Sequence, residues 1–296
     1  MDYPSHSRVH RLPSFDTVNC SCWVKRDDEL GFGISGSKIR KYSTLIPFLL
    51  HEQFQQVIAI GGINSNNILG LSQLLTENRI PFKLYLKGDP QRQRQGNGLL
   101  TSLIAGAAIR WVNSAEWPHV HQIALDEASH KHVFIIPEGA SCPQALPGAL
   151  TLATDIKINE EQIGHRFDHI FIDAGTGFTA NALAQQISAG AHLHVVMLAE
   201  PNYDFSDLKH KVTSYQPRLA PSFGSVNQAV WDEVKLMAQQ EGILTDPVYS
   251  AKLFHEARHI IREQDLRGNA LVIHGGGGLS LLGFSKNIEV NIFPSC

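Results

Sequence analysis

The sequence predicts an α/β protein built on parallel sheets with helices packed on both faces. Three observations carry that expectation. Short apolar runs alternate with longer amphipathic stretches from about residue 40 onward, and glycine clusters follow three of those runs directly. The length of 296 residues, at roughly 150 per domain, suits about two domains with their own cores. A hydrophobic fraction of 43% with 18% charged residues belongs to a packed chain rather than a disordered one.

Taken in order, Val57–Ile60, Phe82–Leu86, Val133–Ile136, His169–Ile172, Leu193–Leu198 and Leu271–Ile273 read as buried strands, being short, continuous and rich in Val, Ile and Phe. The helical stretches between them repeat apolar residues at three and four positions. Ile68–Thr76 does so through Ile68, Leu71 and Leu75; Ala180–Ser188 through Ala180, Leu183 and Ile187; Gln228–Gln240 through Val230, Val234 and Met237. Leu99–Ala108, Ala149–Ile156 and Val248–Glu263 follow the same rule. Sheets of this kind place ligands at the carboxyl ends of strands, in the turns that enter helices.

Composition excludes several classes. With 25 Lys+Arg against 28 Asp+Glu the net charge is −3, which gives no basic face for nucleic acid. No apolar run approaches the roughly 18–20 residues of a membrane helix. The polar start MDYPSHSRVHRL has no apolar signal core, so a cytoplasmic protein is expected. Cys20 and Cys22 are too close for an ordinary bridge, Cys142 stands alone and Cys296 is terminal, which reads as reduced thiols.

Three segments carry possible chemistry. Gly36-Ser37-Lys38-Ile39-Arg40-Lys41-Tyr42 places three cations before a helix through STLIPFLL. It suits a solvated basic patch, or a cleft lysine made neutral by burial and a neighbouring charge and so able to form a Schiff base. Lys38 and Lys41, three apart, would share one helix side and depress each other. Gly61-Gly62-Ile63-Asn64-Ser65-Asn66-Asn67 follows the strand VIAI; Ser65 is outside any G-x-S-x-G elbow and suits a helix N-cap, while the Asn and Ser density also suits polar recognition of a ligand. Asp173-Ala174-Gly175-Thr176-Gly177-Phe178-Thr179 opens a helix with glycines, two hydroxyls and a helix dipole, a cradle for one phosphate or simply a tight turn. It lacks the Gly-Lys-Ser/Thr of an ATP loop and the third glycine of a dinucleotide loop.

A phosphate site and a Schiff-base lysine together suit pyridoxal 5′-phosphate. KRDD (Lys25–Asp28), GSKIRK (Gly36–Lys41), GGINSN (Gly61–Asn66), IPEGAS (Ile136–Ser141), GILTDPVYSAK (Gly242–Lys252) and VIHGGGG (Val272–Gly278) stand in the order of the corresponding motifs of one family. Through them, over most of the chain, the sequence resembles the 1-aminocyclopropane-1-carboxylate deaminase and D-cysteine desulfhydrase family. Those are pyridoxal-phosphate enzymes of the tryptophan synthase β-like fold, fold type II. The resemblance implies a large cofactor domain from residues 1–41 and 153–296, a small α/β domain from 42–152, and a homodimer acting on a small amino acid. It implies that Lys38 bonds the cofactor, Ser65 faces the substrate carboxylate, and Asn66 contacts the pyridine 3′-oxygen, with Asn67 beside them. Gly175, Thr176, Gly177, Phe178 and Thr179 would form the phosphate loop, and Tyr249 would transfer protons near the reacting carbon.

Departures from the family bear on substrate. Ser37 replaces an Asn, and Phe223 replaces a second active-site tyrosine in the substrate site. Ser250 stands where the cyclopropane deaminases carry a Glu facing the pyridine nitrogen. A hydroxyl there makes a shallower electron sink, so β-elimination in the manner of D-cysteine desulfhydrase (pyruvate, sulfide and ammonia) is expected ahead of ring opening. A non-catalytic cofactor- or amino-acid-binding homologue is the rival from another class.

The 15 histidines are expected to be packing or surface residues and no metal is expected. The pairs His119/His121, His130/His132 and His192/His194, if on strands, would each share a face, but nothing supplies further ligands. His274 precedes the last glycine turn and is expected near the cofactor, with a structural role.

Overall fold

The computed structural model describes residues 3–90, 95–128, 132–200, 205 and 211–284. One six-stranded sheet is ordered β1 (Val9–Arg11), β2 (Cys20–Lys25), β10 (Gly268–Ile273), β7 (His169–Ala174), β8 (His192–Met197), β9 (Val212–Tyr215). All its pairings are parallel except β1 with β2. A second sheet is ordered β5 (Ile109–Val112), β4 (Phe82–Lys87), β3 (Gln56–Gly62), β6 (Val133–Ile136), parallel throughout. The helices are α1 (Lys38–Glu52), α2 (Asn66–Glu77), α3 (Gly96–Ala105), α4 (Val120–Glu127), α5 (Leu146–Ile163), α6 (Phe178–Gln186), α7 (Gln228–Glu241) and α8 (Ser250–Glu263).

The six expected strands are all present. β1, β2, β5 and β9 escaped the sequence reading because VHR, CSCWVK, IRWV and VTSY mix polar residues into short runs. The first helix starts earlier than STLIPFLL suggested, at Lys38 itself. His119 ends a 3-10 turn and His121 lies in α4, so that pair shares no strand face. His130 and Cys296 lie outside the described residues. Cys20, Cys22 and Cys142 are free and buried.

The first half of α5 packs Ala149 into the core of the smaller sheet, with Leu45, Val57 and Leu84. Farther along, it packs Leu152, Ala153 and Ile156 into the core of the larger sheet, with Phe167, Leu193 and Leu271. The expected boundaries at 41/42 and 152/153 therefore fall within α1 and α5, continuous helices near both sheets. A buried polar cluster pins these helices to β2. Arg40 forks onto Asp27 (2.7 Å for each of two bonds) and also reaches Asp155, which Lys25 approaches at 2.6 Å. Lys25 donates to Asn159 at 2.6 Å and Ser7 to Asp27 at 2.6 Å. Burial opposes the Asp155 charge, but Lys25 and Arg40 outweigh it and hold its carboxyl below the usual range.

On the larger sheet, His194 lies buried between the stacked ring of Phe171 (4.3 Å between centroids) and Tyr215, which bonds its Nδ1 at 3.0 Å. His169 bonds its Nε2 at 3.1 Å. Burial, with His192 and His169 nearby, pulls its pKa down to about 3 from 6.5. The unfolded chain therefore takes up this proton first. The stability contributed by the neutral ring is complete above the unfolded value of 6.5 and is lost as pH falls toward 3. That loss amounts to roughly 5 kcal/mol in full and about 2 kcal/mol by about pH 5. Thermal melts at about pH 7.5 and about pH 5 should show this acid-side loss; equal melting temperatures for wild type and His194→Phe at both pH values would refute it.

Candidate active site

The turns at the carboxyl ends of β3, β6, β7 and β10 approach one another: a Cβ on Gly277 would lie 3.1 Å from Asn66 Nδ2, one on Gly139 2.9 Å from Thr176 Oγ1, and one on Gly275 3.7 Å from Asp173 Oδ1. Lys38 is the first residue of α1. Its segment is tied to the turn after β10, where Ser37 N–H donates to Gly275 O at 2.9 Å. A Cβ on Gly36 would lie 2.4 Å from that same carbonyl, so only glycine permits the approach. Burial lowers the pKa of Lys38, opposed by the carboxylates of Asp173 and Asp246. Lys41, on the same side of α1, is pulled down to about 7 by burial and then by the charge of Lys38. The expected depression of Lys41 by Lys38 thus holds, while two carboxylates counter the effect at Lys38. Lys41 is already engaged: its Nζ donates to Gly139 O and lies 5.7 Å from the Phe178 ring centroid.

Ser65 is the N-cap of α2, its Oγ accepting from Asn67 N–H at 3.2 Å and Ile68 N–H at 3.3 Å. Its own hydroxyl proton is not used by the cap. Asn66 Oδ1 accepts from Asn97 Nδ2 at 2.6 Å, and its Nδ2 lies 3.1 Å from where a Cβ of Gly277 would sit. Asn67 is buried and points elsewhere, accepting from the Tyr42 hydroxyl at 2.9 Å.

Gly177, at φ +83, caps α6, so the first-turn N–H groups after it have no intrahelical acceptors and are free to hold an anion. Thr176 Oγ1 accepts from Ser141 at 3.1 Å, and Gly139 packs so closely that a Cβ would sit 2.9 Å from that oxygen. Phe178 is 6% exposed with its ring in the core, leaving its N–H at the turn. Tyr249 closes the other side, its Cε1 lying 3.5 Å from a Cβ position on Gly175. Burial, with Asp246, Asp173 and Glu138 adding, keeps its phenol protonated well above the usual range. Phe223 packs edge-on to Tyr249 with centroids 5.9 Å apart, and is largely exposed.

Ser250 is turned toward Asp246: its Oγ accepts from Asp246 N–H at 2.7 Å and donates to Oδ2 at 2.8 Å. Asp246 Oδ1 in turn accepts the N–H groups of Val248 and Tyr249, fixing the start of α8. His274 is fully buried, with Nε2 donating to Leu244 O at 3.2 Å and Nδ1 accepting from Gly276 N–H at 3.4 Å, a structural clamp beside the site. Among the described residues no three His, Cys, Asp or Glu side chains are grouped to hold a metal ion. Likewise, no helix among them is long and apolar enough to cross a membrane.

Sequence reasoning gave no role to Asp173, Asp246 or Asn97. An Asp closing the apolar strand HIFID was a legible signal for the first. Asp246 fixes the start of α8 through residues two to four further on, a local signal within GILTDPVYSAK, whereas Asn97 acts on Asn66, 31 residues away, and had none.

No family profile matches the chain. Among curated proteins it is 25% identical to a putative 1-aminocyclopropane-1-carboxylate deaminase of Pyrococcus furiosus, covering 93% of this chain and 90% of that one. It is 28% identical to a 1-aminocyclopropane-1-carboxylate deaminase of Pseudomonas syringae pv. syringae, covering 89% and 88%. Among solved structures, a homologue of that deaminase superposes with a TM-score of 0.83 at 22% identity, covering 97% of this chain and 94% of that one. The chain thus has the fold of the type II pyridoxal-phosphate enzymes and resembles the 1-aminocyclopropane-1-carboxylate deaminases over about nine tenths of its length.

Proposed function

We propose that this chain is a pyridoxal-phosphate-dependent lyase that deaminates a small amino acid. The supporting observation is the meeting of Lys38, the Ser65–Asn66 helix start, Tyr249 and the Gly175–Thr179 turn at one cleft. Pyridoxal 5′-phosphate fits this set, and when bound it supplies a carbonyl for amines and a ring that accepts electrons from the substrate Cα.

The chain's own groups do the rest. The N–H groups of Gly177, Phe178 and Thr179, with the Thr176 and Thr179 hydroxyls, hold the phosphate. Asn66, braced by Asn97, meets the ring oxygen. Lys38 is the residue whose amine would hold the cofactor, and the same amine, once freed, would move a proton at the substrate carbon. Ser65 donates its free hydroxyl proton toward the substrate carboxylate, and the protonated Tyr249 phenol is a proton donor beside it. We take the two sheets as the centres of the domains 1–41 with 153–296 and 42–152, and the working form as a cytoplasmic homodimer.

For the substrate, the names of the relatives support 1-aminocyclopropane-1-carboxylate, opened to 2-oxobutanoate and ammonia. This replaces D-cysteine as the leading reading. The second reading, β-elimination from D-cysteine, keeps one specific support: Ser250 has its single proton committed to Asp246 and offers the ring nitrogen no carboxylate. Assay of 2-oxobutanoate from the cyclopropane amino acid and of pyruvate from D-cysteine, each against Lys38→Ala, decides. 2-Oxobutanoate above the variant is the expected result, and pyruvate alone would favour the second reading. Neither product from a protein that gains visible absorbance with the cofactor would leave a binding homologue.

A further inference from the structure

Lys252 is a buried ammonium to which the proposed chemistry gives no part. It lies in the first turn of α8 and is 1% exposed. Its hydrogen-bond partners among the described residues are carbonyls: Nζ donates to Ala220 O at 2.6 Å and to Ser222 O at 3.5 Å. Burial opposes the charge and lowers its pKa, against the pull of the Asp246 carboxylate. An apolar side chain of the same length would fill this space without the cost of burying an ion. What the charge adds is a hold on the segment that carries the two carbonyls.

That segment is the loop Ala220–Ser225 ahead of α7. The Ser225 hydroxyl reaches the same two oxygens, at 2.8 Å from Ala220 O and 2.5 Å from Ser222 O. Ala220 itself has φ +44, a left-handed backbone that a residue with a Cβ keeps only where its surroundings hold it. Phe223 stands at the middle of the loop. It is 58% exposed, yet its ring meets the Tyr249 ring edge-on with centroids 5.9 Å apart. Tyr249 lies three residues before Lys252, at the N-cap of α8, and its Cε1 is 3.5 Å from a Cβ position on Gly175. One short path thus leads from Lys252 through the loop and Phe223 to the phenol.

We propose that Lys252 is a positioning residue for Tyr249. Its ammonium fastens the Ala220–Ser225 loop to α8, and the fastened loop keeps the Phe223 ring against the phenol beside the Gly175 turn. A proton donor works only from a fixed place, so the clamp contributes to turnover although Lys252 touches no reacting atom. The proposal rests on the reading of Tyr249 as a proton donor and adds a residue that this reading leaves out.

The first readout uses the chain without cofactor. Lys252→Met keeps the length of the side chain and removes the ammonium. Chymotrypsin is applied under native conditions, and cleavage after Phe223 is followed by peptide mass analysis, with the exposed Phe32 as internal control. Losing a hydrogen bond to a charged group should speed cleavage at Phe223 about tenfold and leave Phe32 unchanged. The second readout is turnover of the cofactor-loaded protein. Lys252→Met should lower kcat about tenfold, and in a Tyr249→Phe background it should lower it no further. Unchanged cleavage at Phe223 overturns the proposal, and so do losses from the two substitutions that multiply, since those would come from stability alone. Should Lys252→Met fail to melt cooperatively, Lys252→Gln, whose amide is one atom too short for Ala220 O, is judged by the same criteria. A wild type that gains no visible absorbance with the cofactor counts against the proposed function, and the cleavage result then decides whether the clamp exists.

Discussion

Lys38→Ala is expected to abolish the visible absorbance that the wild-type protein gains with pyridoxal 5′-phosphate, and to cut deamination by roughly 10³-fold or more. The magnitude follows because one amine is asked both to bond the cofactor and to move the substrate proton, and a positioned acid or base alone contributes roughly 10²–10⁴-fold. Lys38 is the first residue of α1 and interacts with the buried carboxylates of Asp173 and Asp246, so truncation also removes their offsetting cation and a modest fall in melting temperature should accompany the loss of colour. Lys41→Ala provides the contrast. That amine is held by Gly139 O and the Phe178 ring, so its loss should weaken cofactor binding while leaving the absorbance attainable at higher cofactor concentration. Full colour and activity in Lys38→Ala would remove the assignment.

The largest stability effect is expected at Asp155. It faces Lys25 and Arg40, both 1% exposed or less, and accepts from Ser7 N–H at 3.1 Å. Asp155→Ala leaves two buried cations with one remaining carboxylate, Asp27, between them. Breaking a buried pair in this way costs about 3–5 kcal/mol, which should appear as a fall in melting temperature on the order of 10 °C. The same cluster joins β2, α1 and α5, so cofactor affinity should fall as well, because Arg40 lies two residues after Lys38. A melting temperature within about 2 °C of wild type would show that the cluster is dispensable.

Much of this was legible in the residues. VIAI, FKLYL, VFII, HIFID, LHVVML and LVI are continuous apolar runs that a parallel sheet must bury on both faces, and all six became strands. The glycines that follow three of them marked the cleft, because ligand-binding turns at strand ends need backbone N–H groups unobstructed by side chains. β1, β2, β5 and β9 were not legible. Their stability comes from pairing with a neighbour rather than from their own pattern, as Lys25 shows: a charged residue in a strand, fully buried because Asp155 and Asn159 reach it from α5. Ser65 read as an N-cap and is one. Asn67 read as part of a ligand-facing cluster; its Oδ1 accepts from Tyr42 in the interior, while its buried Nδ2 has no partner among the described residues.

Local sequence thus determined the fold class, the glycine turns at the strand ends and the lysine at the head of α1, since each depends on residues within one strand–turn–helix unit. The partners of that lysine were decided only by tertiary structure. Asp173 lies at the end of β7 and Asp246 ahead of α8, both far along the chain from Lys38, and Gly275 lets the strand ends approach closely enough for the charges to interact. Electrostatic coupling depends on distance and burial in the folded state, and neither can be counted along a chain.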